Sequence, residues 1–311
     1  MATILVSTKD MACDEWLHWR KRGIGGSDAA TICGINKYKS AFQLWMEKTG
    51  QYNQAVDNEP AYWGYVLEPV IRDEFTKRTG LPVALEQNLL QHERYPYMLA
   101  NLDGIVKSTD TDYIFEAKTS SAFRLQEWDL DCVPYPYQLQ VQHYMAVTGL
   151  SGAYVAALIG GQEFRVQFIS RDEEIINMLI KLEGQFWQYV ENNTPPPIDG
   201  TDAAKDFINA RFPKAIARKS IVLDDGYLSL VSKYEQFQEF ERVNAELKDK
   251  AANQLKELIG DCESATVGDR IITWKNVTSE RLDIKRLQIE LPDVYNKYLN
   301  KSSHRRFLIK R

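Results

Sequence analysis

The residues best placed to do chemistry lie in the segment NLDGIVKSTDTDYIFEAK, which covers residues 101–118. Two β-prone runs flank its polar, turn-forming centre, a pattern typical of a hairpin. A turn centred within this polar stretch pairs Ile105 with Ile114 and Asp103 with Glu116. The register therefore predicts two carboxylates side by side on adjacent strands.

Two opposed carboxylates are destabilising unless something lies between them, because directly paired side chains have Cβ atoms about 4.5–5.5 Å apart and like charges repel there. A divalent cation is the obvious candidate. Strand alternation places Lys118 on the face of Glu116, while Phe115 and Ala117 point the other way. The carboxylates and the Ala117 carbonyl are hard oxygen donors suited to Mg²⁺ or Mn²⁺. Lys118 could orient a metal-bound water. The alternative is a solvated strand pair with incidental charges.

A second group of residues predicts a pocket for a terminal phosphate. The segment GIGGSDAA at 23–30 follows the basic run 20–22, which includes Arg20. Ser27 or Asp28 can cap a short helix there, and the small glycines let a phosphate approach the helix amides. The alternative is a plain connection between two helices with an N-cap serine.

Two predicted helices bring further polar side chains. The amphipathic helix over 61–80 places Glu68 beside its apolar stripe, where a carboxylate needs a partner. The helix over 137–150 places Tyr137, Gln140 and Tyr144 on one face, where they could contact a DNA backbone or hold a water. The alternatives are an ordinary surface glutamate and a polar helix edge.

Composition limits the class of protein. The chain has 311 residues, 44% hydrophobic and 26% charged, which suits one large domain with an appendage or two modest domains. A formal charge of -5 argues against a generally basic nucleic-acid coat but not against a nuclease. The four cysteines form no CxxC pair, which argues against a zinc ribbon or a disulfide framework. The sequence has no membrane-length apolar run, and we expect a cytoplasmic protein.

The order of helices and strands predicts an α/β (α+β) fold with a central mixed β-sheet flanked by helices. One strand is expected over 82–91 and others over 98–106 and 113–119. The stiff TPPPI stretch is predicted to end the main domain, 1–197. Residues 198–311 are predicted to form a mainly helical extension with a small hairpin, suited to oligomerisation or to contact with DNA or a partner.

Taken together, these motifs resemble the YqaJ-like viral recombinase family, which is related to phage lambda exonuclease and shares the PD-(D/E)XK, restriction-endonuclease-like core. The resemblance covers residues 10–195. The matching motifs are WRKRGIGGSDAATICGINKYKSAFQLWMEKTG at 19–50, WGYVLEPVIRDEF at 63–75, LDG at 102–104, EAK at 116–118 and QVQHYMAVTG at 140–149.

The resemblance implies roles for individual residues. Metal ligands would be Glu68, Asp103 and Glu116, with Lys118 positioning the attacking water. Gln140 would complete the site from its helix. Arg20 and Ser27 match the family residues that hold the 5′-phosphate of a DNA strand.

The resemblance also implies an activity and partners. It implies a metal-dependent 5′→3′ exonuclease acting on double-stranded DNA ends, with two Mg²⁺ ions per site or Mn²⁺ as substitute. It further implies a ring-shaped homo-oligomer, with a trimer favoured, and a single-strand annealing protein of the RecT/Bet type. Such a protein would be encoded by a phage or prophage and act in the bacterial cytoplasm.

Three alternatives stay open at this stage. A PD-(D/E)XK endonuclease has the same metal core but gives no reason for a 5′-phosphate pocket. A non-catalytic DNA-binding or assembly protein could keep the same fold. A RecB-like nuclease with an iron-sulfur cluster is disfavoured, because only Cys262 lies beyond Cys132.

Overall fold

The computed structural model describes residues 2–52, 59–128, 132–300 and 305–309. The chain divides into two compact units, Met1–Arg211 and Phe212–Arg311. In the first unit the helices are α1 (Cys13–Arg20), α2 (Gly26–Ile32), α3 (Ala41–Lys48), α4 (Glu59–Thr79), α5 (Tyr135–Thr148), α6 (Glu173–Glu191) and α7 (Asp202–Arg211), with a 3-10 helix over Ala122–Glu127. The strands are β1 (Thr3–Ser7), β2 (Ile24–Gly25), β3 (Val83–Ala84), β4 (Asn88–Gln91), β5 (Met98–Ala100), β6 (Gly104–Val106), β7 (Tyr113–Ser120), β8 (Gly152–Ile159) and β9 (Glu163–Ser170).

The strands of the first unit form two mixed sheets. One has five strands in the order β3-β6-β7-β8-β9, in which β7 and β8 run parallel and the other pairs run antiparallel. The other has four strands in the order β1-β4-β5-β2, in which β2 and β5 run parallel. The predicted fold class, a mixed α/β arrangement of sheet and flanking helices, is confirmed.

Two of the predicted strands are wrong in extent, because the chain changes sheets within each of them. The run 82–91 contains β3 and β4, which belong to different sheets. Between them Leu85 is 56% exposed, so it leaves the core instead of continuing a ladder. The run 98–106 likewise divides into β5 and β6, and Asp103 lies immediately before β6.

Helices cover both faces of the five-stranded sheet. Ile114 of β7 packs in one apolar cluster with Val141 and Met145 of α5. The next residue, Phe115, packs in another cluster with Ile71 and Phe75 of α4. Since side chains alternate along a strand, the residues at even positions of β7 face α5.

Helix α5 has clear sequence signals at both ends. Pro136 stands in its first turn, where its missing N–H has no intrahelical partner to lose. Gly149 follows its last turn with φ 79°, the left-handed conformation that glycine adopts without steric cost. The helix is buried along most of its length, from Leu139 to Val147.

The first unit extends beyond the predicted boundary at residue 197, because α7 packs into it. Ala203, Ala204 and Phe207 of α7 are buried. The Phe207 ring lies edge-on to Phe42 and Tyr52, with centroids 6.1 and 5.0 Å apart. The Pro-rich stretch therefore precedes a helix of the same unit.

The second unit contains a long helix, a hairpin and two short helices. These are α8 (Leu228–Ile259), β10 (Ser264–Val267), β11 (Arg270–Thr273), α9 (Ile284–Glu290) and α10 (Pro292–Tyr298), with a 3-10 turn at Asp225–Tyr227. The structure has the predicted long helix and the hairpin. None of the helices in the described ranges combines the length and apolar character needed to cross a membrane.

Candidate active site

The hairpin of β6 and β7 has the predicted register. Ile105 pairs with Ile114, and beyond the strand ends Lys107 forms a 2.6 Å salt bridge with Asp112. The same register places Asp103 opposite Glu116. The turn chemistry of this segment therefore fixes the two carboxylates as neighbours.

Glu116 receives donors from its own strand and from α5. Its Oε1 atom accepts hydrogen bonds from Lys118 Nζ at 2.5 Å and from Gln140 Nε2 at 2.6 Å. Gln140 Nε2 also donates to the Tyr144 hydroxyl at 3.1 Å, and Lys118 Nζ lies 5.0 Å above the Tyr137 ring. Predicted residues from the hairpin and the helix thus meet at one carboxylate oxygen.

The second oxygen of Glu116 is left without a partner. Glu116 is 1% exposed, and its Oε2 atom is buried with no hydrogen-bond partner among the described residues. A buried, unpaired carboxylate oxygen is costly. A cation or a hydrogen-bond donor bound at this atom would remove that cost.

Asp103 and Glu68 stand at the same cavity as Glu116. Asp103 Oδ2 accepts a hydrogen bond from the Ala117 N–H at 2.9 Å, which fixes the carboxylate against β7. Glu68 on α4 lies 3.6 Å from Arg72. All of these side chains except Arg72 line one cavity of about 420 Å³, together with Lys118, Gln140, Arg20 and Ser27.

The carboxylates of the cavity hold protons unusually tightly. Burial, together with the negative charge of Asp103, raises the pKa of Glu116 to about 8 and that of Glu68 to about 7. Burial also raises the pKa of Asp103 despite the nearby Lys118. Burial opposes the charge on Lys118, but Glu116 and Asp103 outweigh it and raise its pKa. The cavity therefore disfavours ionised carboxylates, and a bound cation would remove that penalty.

The residues present fit a hard divalent cation. Asp103, Glu116 and the Ala117 carbonyl supply oxygen donors. The Oε2 atom of Glu116 accepts no hydrogen bond among the described residues, so its lone pairs are available to a cation. In the described ranges, no group of three His, Cys, Asp or Glu side chains is arranged to hold a metal ion. Glu68, 3.6 Å from Arg72, is the third carboxylate at the cavity.

Arg20 and Ser27 form the second part of the cavity. Arg20 Nη2 donates a 2.6 Å hydrogen bond to Ser27 Oγ, and its guanidinium lies 5.1 Å from the Trp16 ring centroid. The predicted cap of the short helix is wrong, because Gly25 occupies the N-cap position of α2. Asp28 lies inside the first turn and accepts a hydrogen bond from the Gly25 N–H at 3.1 Å.

Two buried pairs of ionisable side chains near the cavity did not emerge from the sequence. Lys48 on α3 lies 2.7 Å from Asp28, and His143 on α5 lies 2.9 Å from Glu183 on α6. His143 Nε2 also bonds the Leu99 carbonyl at 2.9 Å. From a single sequence, a charged residue in a helix is predicted to face solvent. The signal that could have identified these pairs is that Lys48 and His143 lie within the motifs at 19–50 and 140–149 that resemble the family.

Comparison with known proteins places the chain in a family. The model of the YqaJ-like viral recombinase domain matches residues 15–151. A relative, the uncharacterized protein YqaJ of Bacillus subtilis (strain 168), is 38% identical over 317 residues, which cover 99% of this chain and 98% of that protein. Protein D345L of African swine fever virus (strain Badajoz 1971 Vero-adapted) is 33% identical over 60 residues, which cover 19% of this chain and 17% of the viral protein.

Among solved structures, an alkaline exonuclease (LHK-Exo) from Laribacter hongkongensis is similar to this chain with a TM-score of 0.49 and 20% identity, covering 58% of this chain and 94% of that one. The structure of LHK-Exo in complex with dAMP gives a TM-score of 0.48 at the same identity, covering 64% and 97%. The match to the YqaJ protein extends over nearly the whole length of both chains and is well above the identity expected by chance. This chain therefore belongs to the YqaJ-like viral recombinase family.

Proposed function

We propose that this protein is a metal-dependent 5′→3′ exonuclease that acts on double-stranded DNA ends and leaves 3′ single-stranded overhangs. The observation that carries the proposal is one shared cavity, in which Arg20 and Ser27 stand with Asp103, Glu116 and Lys118. An arginine is always charged and its donors match phosphate oxygens. A terminal phosphate held by Arg20 would lie in the same cavity as the carboxylates.

Asp103, Glu116 and the Ala117 carbonyl would hold one Mg²⁺ or Mn²⁺ ion, and Glu68 would contribute to a second ion. When bound, such ions acidify a water and neutralise charge on the transferred phosphoryl group. Binding would favour the ionised carboxylates, whose pKa values are raised without it. The unpaired Glu116 Oε2 supports this assignment.

The chain's own side chains position the reacting groups. Lys118 Nζ, held between Glu116 and the Tyr137 ring, would orient the attacking water. Gln140 and Lys118 occupy Glu116 Oε1 and so leave Oε2 for the ion. Arg20 and Ser27 would fix the 5′-phosphate, which sets the distance from the strand end to the cut.

Family membership supports a proposal for the wider setting. A viral recombinase family fits an enzyme that prepares 3′ overhangs for recombination by strand annealing. We extend the proposal to a single-strand annealing protein of the RecT/Bet type as partner and to a ring-shaped homo-oligomer, most simply a trimer. We also propose that the protein is encoded by a phage or prophage and acts in the host cytoplasm.

Digestion of linear duplex DNA labelled at either end tests the proposal. We expect Mg²⁺-dependent loss of nucleotides from the 5′ end, faster on phosphorylated ends and absent in EDTA. Lys118→Ala should lower the rate by roughly a hundredfold or more, because it removes the group that orients the water.

Lys107→Ala is the matched control, because Lys107 lies on the same hairpin and pairs with Asp112 at its turn. It should keep the wild-type rate. Cutting of closed circular DNA would favour an endonuclease. DNA that is bound but stays intact with Mg²⁺ and with Mn²⁺ would favour a non-catalytic DNA-binding protein.

A further inference from the structure

A buried ion pair lies behind the Arg20 side of the cavity. Lys48 Nζ on α3 lies 2.7 Å from Asp28 Oδ2 on α2, and both side chains are only 4% exposed. Burying two charges is expensive, and an ion pair at this depth is a weak source of stability. The position of the pair therefore calls for an explanation beyond stability.

The pair joins the elements that carry the proposed phosphate-binding residues. Lys48 Nζ donates a 3.0 Å hydrogen bond to the Arg20 carbonyl at the end of α1. Asp28 Oδ2 accepts from the Gly25 N–H at 3.1 Å, at the start of α2. Lys48 thus fixes the backbone on both sides of the turn between Arg20 and Ser27.

The pair also acts on the Arg20 side chain. Asp28 Oδ1 lies 3.8 Å from Arg20 Nη2, the same atom that donates to Ser27 Oγ at 2.6 Å. Burial opposes the charge on Asp28, but Lys48 and Arg20 hold the pKa of this carboxyl well below its usual range. An ionised Asp28 therefore restrains a guanidinium that is itself 38% exposed.

We propose that Lys48, acting through Asp28, is a positioning residue that sets Arg20 and Ser27 as a preformed receptor for a terminal 5′-phosphate. The inference rests on the proposed function and deepens it, since it assigns the preference for phosphorylated ends to a residue outside the cavity. A preformed receptor loses little side-chain freedom on binding, so its selectivity depends on what holds it. A purely structural role would instead affect all DNA ends alike.

The test is a binding measurement in EDTA with the full-length protein. Blunt duplexes of one sequence, bearing a 5′-phosphate or a 5′-hydroxyl and a fluorescent label at the far end, are titrated and followed by anisotropy. We expect the wild type to prefer the phosphorylated duplex. Losing the receptor should reduce this preference about tenfold, the size of one charge-assisted hydrogen bond.

The variants separate positioning from folding. Lys48→Met alone leaves Asp28 charged and buried, so the decisive variant is Asp28→Asn with Lys48→Met, which keeps the interior neutral. Its fold is checked by circular dichroism. The control is Lys107→Met, which breaks the 2.6 Å ion pair of Lys107 with Asp112 at the turn of the hairpin and should keep the preference.

Each outcome decides the matter. Lost preference with unchanged affinity for hydroxyl ends supports the inference. Equal loss for both ends, an unchanged preference in the double variant, or no preference in the wild type overturns it. If the double variant loses the preference but the wild type never hydrolyses DNA, the proposed exonuclease alone is overturned. If the wild type hydrolyses DNA but the double variant keeps the preference, this inference alone is overturned.

Discussion

At the scale of single residues, Glu116 joins the hairpin to α5 and is also one of the buried carboxyl groups of the cavity. One of its oxygens has two donors and the other has none. Burial beside Asp103 raises its pKa to about 8 from the ordinary value of 4.5. The folded protein therefore favours the protonated form of Glu116. The ionised form is destabilised by burial unless a cation is bound beside it.

The pH dependence of stability tests this account of Glu116. Because its pKa is raised by folding, the unfolded chain loses its proton first as the pH rises above the ordinary value. The free energy of unfolding in EDTA should then fall between about pH 5 and pH 8, by on the order of a few kcal/mol. Urea unfolding at several pH values measures this slope.

Glu116→Gln should make that slope shallower and raise the stability at pH 8, while abolishing DNA hydrolysis; the raised pKa values of Glu68 and Asp103 account for the slope that remains. Glu163→Gln, at an exposed glutamate of β9, serves as the control and should leave the slope unchanged. An equal slope in Glu116→Gln and the wild type would mean that the pH dependence of stability comes from other residues than Glu116.

At the scale of elements, the close approach of α2 and α5 joins the two halves of the cavity. A Cβ atom added at Gly26 would lie 2.5 Å from Tyr144 Cε1 and 3.0 Å from Gln140 Cγ. Both partners belong to α5, and Tyr144 is buried in the core. The absence of a side chain at Gly26 is therefore what allows Ser27 and Gln140 to share one site.

Gly26→Ala should push α2 away from α5, at a cost of about 1–3 kcal/mol in the free energy of unfolding. It should also lower DNA hydrolysis, since Gln140 and the Arg20 pocket move apart. Gly200→Ala is the control for stability, because a Cβ there would meet nothing within 4 Å. Denaturant unfolding of both variants measures the difference, and equal stability would contradict the steric argument.

The same elements show what a sequence can predict. The register of Asp103 and Glu116 depends on a local turn, and the face of α5 depends on helical periodicity, so both could be predicted. The pairs of Lys48 with Asp28 and of His143 with Glu183 join separate helices. Partner choice between helices depends on packing that no local pattern contains. The change of sheets between β3 and β4 was missed for the same reason.

At the scale of the whole molecule, the division into units depends on α7. The TPPPI stretch marks a local break in the chain, but the helix beyond it returns to the first unit through Phe207. Its ring is 5% exposed and packs against Phe42 and Tyr52. Local stiffness and domain boundary therefore do not coincide in this chain.

Truncation tests which boundary is physical. A fragment of residues 1–211 keeps the Phe207 contacts, whereas a fragment of residues 1–197 exposes the aromatic cluster that α7 covers. We expect the shorter fragment to be less stable by about 3 kcal/mol, the usual cost of removing a buried phenylalanine side chain. Phe207→Ala in the full chain should reproduce most of that loss. Equal unfolding midpoints for the two fragments would show that α7 adds nothing to the first unit and would restore the boundary at residue 197.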